Sequence, residues 1–454
     1  MAAAVSPNAI ADFFSLRKLV GMFLVPFLGL VAAHFILGEA AVSRSMVAAF
    51  ETGGAQVGWF WAPSLQWDTN FGAKDARATV PRPALVADLA ALMRPGSTDH
   101  YALVVGESGT GKSTAVREAV RSLQSPKGAI YFSAPELVAS FSSDLARAVG
   151  YAPPFDPLAS VFSRLGGQPS ANAGGIAWPL LRRALEVAAA RFYAKHARPA
   201  VLVIDAADFV AKKEPHFLLD LQNFAKVCAD MGTLRVVFVS SEGVVLPLMR
   251  ASSSWSRALA PYEVQDIGDA QAVGYLSNRG VARPVAEEAV RTVTGGRFAL
   301  LLHVASAAAM KPLADIRKEL DMTTDSTIMD LQLAPTHAFF RALITEGFVP
   351  SNSARAHLPV ASLDALLGKN IIALHPDGAY TVHARHVESF LRRKLSDPAP
   401  ANSGYKPPPP PATLPSLGKA ADGLHRKATA RRGVERAASP EESEDEGGES
   451  AAEF

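Results

Sequence analysis

The sequence predicts a three-layer α/β fold around a parallel sheet, followed by a small helical unit and a helix, helix, hairpin unit. Three observations predict it. Short apolar runs ("YALVV", "AIYF", "PAVLVID", "LRVVFV") alternate with stretches of helical spacing, as strands buried on both faces and their crossover helices require. A glycine-rich loop, GESGTGKS from Gly106 to Ser113, joins the first run to a helix-compatible stretch, Ala115 to Leu123. Hydrophobic periodicity ends at Ser396, and the Pro-rich and charged blocks beyond it cannot bury a core.

At 454 residues the chain has room for two or three domains. Its net charge of +2 does not support a general nucleic-acid role, and it hides a polyampholyte tail, basic at 426–436 and acidic from Glu441 to Glu449. The single cysteine, Cys228, recurs at helical spacing with Leu218, Leu221, Phe224 and Met231, so it reads as core, and no disulfide can form within one chain.

Residues 1–18 lead into residues 19–38, 20 residues without a formal charge, which is the length of a single-pass transmembrane helix. A cleaved signal peptide is the rival, since Gly38-Glu39-Ala40 offers a small-x-small site. Arg17 and Lys18 before the span point the N-terminus toward cytosol or matrix, and the membrane itself stays open between mitochondrial inner membrane and endoplasmic reticulum. Residues 39–77 read as a juxtamembrane linker, in which Trp59, Trp61 and Trp67 suit either a headgroup zone or the flank of the next domain.

The loop explains its own spacing. A triphosphate needs several backbone N–H donors aimed at one point, and Gly106, Gly109 and Gly111 allow the tight curl while Glu107, Ser108 and Thr110 fill it. From this exposed loop Lys112 brings a point charge to the β and γ phosphates. Ser113 offers a hydroxyl to Mg²⁺, and Thr114 begins a helix whose N-terminal dipole favours the anion. ATP and Mg²⁺ are the expected cofactors.

The other strands place the remaining candidates. Asp205 ends the run Val201 to Ile204, where a carboxylate would hold the metal's water shell opposite Ser113. "LRVVFVSSEG" ends in Ser240 and Ser241, and Ser240 is the candidate for orienting water or sensing the phosphate. An irregular insertion is expected over 151–176, and the nucleotide core over 78–265.

GESGTGKS, VLVID and VVFVSS, followed by "DAQAVGYLSNRG" and "VAEEAVRTVTGG", resemble the AAA+ and STAND branch of P-loop ATPases, particularly archaeal-type and origin-recognition-like members, over about residues 78–395. The resemblance implies a helical lid at 266–320 and, at 321–395, a winged helix, matching "THAFFRALITEGFV", "VASLDALLGKN" and the hairpin through Asp377-Gly378. It implies that Arg297 is the lid arginine that touches the γ-phosphate, although Phe298 stands where many STAND proteins have proline. Arg82, in "VPRP", resembles the arginine of the adenine-side motif.

One departure bears on rate. AAA+ hydrolases usually carry Glu directly after the strand-end Asp, whereas this chain reads Asp205-Ala206-Ala207-Asp208, so Asp208 becomes the candidate water-positioning base. Arg250 and Arg257 lie where an arginine finger would stand on a neighbouring copy or protein partner. The second helix of the winged-helix-like unit offers Leu363, Leu366, Leu367 and Lys369, which suits packing rather than base reading, so nucleic acid is not the expected partner. Residues 396–454 read as a disordered tail. The expectation is a membrane-anchored protein that binds Mg-ATP and hydrolyses it slowly to drive a conformational or assembly change, or a nucleotide-dependent scaffold or signalling switch with little turnover, with a DNA-handling ATPase as the less favoured alternative.

Overall fold

Four- to six-residue runs of Val, Ile, Leu and Ala have no polar face to give to water, so they need cover on both sides. In the computed structural model, which describes residues 41–54, 80–94, 99–151, 176–241, 243–330 and 336–395, they form one parallel sheet. Its strands are β1 (Ala102–Val105), β2 (Ala129–Ser133), β3 (Ala200–Asp205), β4 (Leu234–Val239) and β5 (Tyr262–Glu263), in the order β2-β3-β4-β1-β5. Register aligns their carboxyl ends: Val104 pairs with Val239 and with Tyr262, and Ser133 pairs with Asp205. The segments that follow β1, β3 and β4 therefore emerge along one edge, where ligands of open α/β sheets bind.

The helices of this unit begin with α1 (residues 41–52), α2 (Pro83–Leu92), α3 (Lys112–Ser122), α4 (Phe141–Ala148) and α5 (Trp178–His196). They continue with α6 (Ala207–Lys213), α7 (Pro215–Met231) and α8 (Val245–Arg250). One face of the sheet, through Leu103, Ile130, Leu202, Val236 and neighbours, shares a core with α1, α4, α5, α7 and α8. Cys228 is fully buried in that core, as its helical spacing suggests. On the other face α2 and α3 pack against each other.

Helix α1 corrects the reading of 39–77 as a linker throughout. Met46 and Phe50 are fully buried in the main core, and the Phe50 ring lies 6.0 Å from that of Phe192. The carbonyls of Phe50 and Glu51 accept from Gly128 and Lys127, each at 2.9 Å, at the threshold of β2. Glu51 also accepts from Lys195 and His196, both at 2.7 Å, and these partners lower its pKa, the Lys195 bond foremost. Val42, Met46 and Phe50 follow i, i+4 spacing, but one short apolar stripe just after a longer apolar run carries little sequence signal.

Past β5 come α9 (Asp269–Ser277), α10 (Arg283–Ala289) with a π-turn at Val290–Thr294, and α11 (Phe298–Ala307), sharing a core with the start of α12 (Leu313–Asp330). This unit crosses the strand exit so closely that a Cβ on Gly296 would fall 1.7 Å from the carbonyl oxygen of Ile267, which only glycine avoids. Then follow α13 (Thr336–Glu346), β6 (Val349–Pro350), α14 (Ser351–His357), α15 (Val360–Gly368), β7 (Ile372–Leu374), β8 (Ala379–Val382) and α16 (Arg385–Lys394). Strands β6-β8-β7 form an antiparallel sheet. The expected two helices and hairpin are present, and α14, β6 and α16 are additions to them.

Residues 19–38, the three clustered tryptophans, most of the 151–176 insertion and the tail from 396 lie outside the described residues. Among the described residues no helix is long and apolar enough to cross a membrane.

Because α1 belongs to the core, Phe50→Ala is expected to cost about 3–5 kcal/mol of unfolding free energy in a denaturant titration. A linker residue would lose less than about 0.5 kcal/mol.

Candidate nucleotide site

The loop after β1 is a cradle. At Gly106, φ is 151° and a Cβ would meet the carbonyl oxygen of Val264 at 2.4 Å, so the backbone can turn there only without a side chain. Gly111 caps α3, and no side-chain hydrogen bond caps that helix terminus. First-turn N–H groups and the positive end of the helix dipole are thereby kept for an anion. Thr110 ties the loop to itself, its N–H and hydroxyl both donating to the Glu107 carbonyl, at 3.3 and 3.1 Å.

Lys112, taken from the sequence as a charge on an exposed loop, is 2 % exposed. Its ammonium donates to the Glu107 carbonyl at 2.6 Å and to Thr110 Oγ1 at 3.4 Å. Burial pulls its pKa down to about 8, against the opposing pull of Asp208, Asp205 and Asp266. Ser113 and Thr114 form the first turn of α3, and the Ser113 carbonyl accepts from Arg117 Nε at 3.1 Å.

Asp205 stands at the end of β3, 3 % exposed. The next residue, Ala206, has φ of 56°, and this turn aims its N–H at Asp205 Oδ1, 2.7 Å away. The other carboxylate oxygen accepts from the Tyr131 hydroxyl on β2. Asp208, one helical step on, is also buried, and its Oδ1 accepts from Ser240 Oγ and its Oδ2 from the Ser241 N–H, each at 2.7 Å. Two residues proposed separately for water and phosphate thus form one unit across the β3 and β4 ends.

Arg297 is 3 % exposed and faces three parts of the chain at once. It forms an ion pair with Glu107 and donates to the Ser108 carbonyl at 3.0 Å, both on the loop. It forks onto Asp266 at 2.7 and 3.1 Å, and it donates to the His383 carbonyl at 2.8 Å. Beside it α11 closes on the loop, where Ala299 donates to the Gly109 carbonyl at 3.2 Å and a Cβ on Gly111 would meet the Phe298 ring at 3.2 Å. Arg82 bridges the loop and the β5 exit, donating to the carbonyls of Thr110 at 3.1 Å and Gln265 at 2.8 Å.

The finger candidates lie elsewhere. The Arg257 carbonyl accepts from Tyr101, at the start of β1 and so at the opposite end of that strand from the loop, and its side chain pairs with Asp230 at 2.5 Å. Arg250 donates to the Pro376 carbonyl at 2.5 Å and lies over the Trp255 ring.

Sequence reasoning missed Tyr131, Asp266, His375 and His383. His375 Nδ1 lies 2.5 Å from Glu263 Oε1, and its Nε2 lies 2.7 Å from Thr381 Oγ1. Burial, then the Arg297 charge, lowers the His383 pKa well below its ordinary value. The only signal in the sequence was a histidine at each end of the hairpin. A cavity of about 300 Å³ separates this hairpin from the β5 exit, lined among others by Thr110, Asp266, Gly295, Arg297, Arg385 and Glu388.

These residues fit Mg-ATP. Mg²⁺ is normally held by one or two carboxylates with substrate phosphates, and the buried Asp205 at the end of β3 with Ser113 in the first turn of α3 is a donor set of that kind. Asp205 and the Ser113 hydroxyl would hold it, and it would supply charge neutralisation at the phosphates.

Residues 94–245 match the protein-family model described as an AAA domain. No curated protein matches the chain. Similar solved structures include the Walker-type ATPase PABY2304 of Pyrococcus abyssi, at 15 % identity and a TM-score of 0.46, covering 69 % of this chain and 96 % of that one. The Aeropyrum pernix ORC2 protein, solved as ADPNP-ADP complexes, is 13 % identical with a TM-score of 0.35, covering 69 % and 93 %. The Aeropyrum pernix ORC1 protein, solved with DNA, is 15 % identical with a TM-score of 0.34, covering 70 % and 93 %. The phosphate loop, Asp205 and Ser240 all lie inside the segment that matches the AAA-domain model.

Proposed function

We propose that this protein is a nucleotide-controlled switch that binds Mg-ATP on residues 106–114 and hydrolyses it slowly to change its own conformation or assembly. The observation that carries this reading is Arg297, one buried guanidinium shared by the phosphate loop, the β5 exit and the hairpin. A phosphate arriving at the loop competes with Glu107 and Asp266 for that cation, so binding is tied to the hairpin's contacts. Asp205 and Ser113 serve the metal. Asp208, held by Ser240 and the Ser241 N–H at the ends of β3 and β4, is the carboxylate assigned to orient water. Ala206 brings no carboxylate, which is the feature that favours slow turnover.

The unit from α13 to α16 we read as a winged helix. Leu363, Leu366 and Leu367 are buried, and a Cβ on Gly243 would meet Leu367 at 2.8 Å, so this unit packs on the nucleotide edge. The exposed residues of α15 are Val360, Ala361 and Asp364, with Lys369 just past its end, a poor set for reading bases. Arg250 or Arg257 is proposed to act on a neighbouring copy. Residues 19–38 are proposed as a single-pass anchor, and because α1 is core, the truncation that tests this should stop at residue 38. Carbonate should leave the full chain in the membrane pellet and release the chain lacking residues 1–38.

Three expectations test the site. Affinity for ATP should hold steady up to about pH 8, then fall roughly tenfold per unit, because Lys112 loses its proton there in the free site and phosphate binds the charged form. Calorimetry that finds flat affinity from pH 7.5 to 9.5 would contradict the assigned lysine. Asp208→Asn should slow single-turnover hydrolysis by about 10²-fold or more and spare affinity. Turnover by dilute monomer near the common enzyme rate of about 10 s⁻¹, indifferent to Asp208→Asn, would refute the switch reading.

A further inference from the structure

We propose that Tyr131 is the positioning residue of the metal carboxylate, its hydroxyl fixing Asp205 in the orientation that Mg²⁺ requires. The inference rests on the reading of Asp205 as the residue that serves Mg²⁺. Strand β2 makes the placement possible: Tyr131 lies opposite Val203 and Ser133 opposite Asp205, so the phenol reaches along the strand to the carboxylate. Ile130 and Phe132 turn to the main core, and alternation sends Tyr131 to the opposite face, where α3 packs on β2.

A carboxylate at a strand end turns about its last bond unless both oxygens are held. Here Ala206 N–H holds one oxygen of Asp205 and Tyr131 holds the other. Tyr131 is also tied to the residue across the site. The Arg117 guanidinium lies 5.9 Å from its ring centroid, and Arg117 Nε donates to the Ser113 carbonyl. One chain of contacts, Ser113 to Arg117 to Tyr131 to Asp205, therefore sets the two proposed metal residues against each other. Partners that orient metal ligands in this way typically change metal affinity about 10- to 100-fold when removed.

The test titrates Mg²⁺ into the full chain holding a fluorescent ATP analogue, starting from a metal-free mixture in EDTA. Tyr131→Phe keeps the ring, so metal-free binding of the analogue should match the wild type and report a folded site. The Mg²⁺ midpoint for the metal-dependent gain in affinity should rise about tenfold or more, and Asp205→Asn should abolish that gain. An unchanged midpoint in Tyr131→Phe beside a lost gain in Asp205→Asn would overturn the role of Tyr131 and leave Asp205 standing. An unchanged gain in Asp205→Asn would overturn the metal reading and the Tyr131 role together. Equal loss of affinity with and without Mg²⁺ in Tyr131→Phe would show a general packing defect and likewise overturn it.

Discussion

One buried guanidinium holds the parts of this molecule in register. Arg297 is almost fully enclosed, and burial pulls its pKa down to about 10 and pushes that of Asp266 up to about 7. Arg297 forks onto Asp266, and the charges of Arg82, Lys112 and Arg385 oppose the rise in the Asp266 pKa. Buried ion pairs of this kind rarely add much net stability, but removing one partner strands the other charge and costs about 3–5 kcal/mol. Arg297 therefore specifies an arrangement more than it stabilises one. It fixes which loop carbonyl, which carboxylate and which hairpin residue lie together.

The phosphate loop depends on that arrangement. In the arrangement described here Lys112 satisfies itself on the loop's own carbonyl, Glu107 is held by Arg297, and α11 lies against Gly109 and Gly111. Each of these contacts competes with an incoming phosphate for the same cation or the same backbone. On the proposed reading, binding free energy is coupled to contacts between loop, lid and hairpin, which is the physical requirement for a switch. The Asp208 and Ser240 pair, by contrast, joins the ends of β3 and β4.

How much of this was legible in the sequence follows from the range of each interaction. The loop, Asp205 and Ser240 were legible because strand, turn and helix fix them locally, and the sheet order merely brings those local ends into one row. The pairing of Asp208 with Ser240 was not, since it depends on β3 and β4 being neighbours. Tyr131, Asp266 and His383 were invisible for the same reason: each acts through a partner distant in sequence. Helix α1 escaped because one short amphipathic stripe reads equally as linker, and only Phe192 and the turn at Lys127 show where it docks. Lys112 looked exposed because the motif says nothing about what closes over the loop.

The central claim is that nucleotide at the loop and the hairpin's hold on Arg297 exclude each other. Amide hydrogen exchange over residues 371–384, with and without saturating Mg-ATP, tests it most directly, because the His383 carbonyl is one of the groups Arg297 holds. The account predicts faster exchange in that hairpin when nucleotide is bound, with slower exchange in residues 106–114. Slower or unchanged exchange in the hairpin, alongside clear protection of the loop, would contradict it.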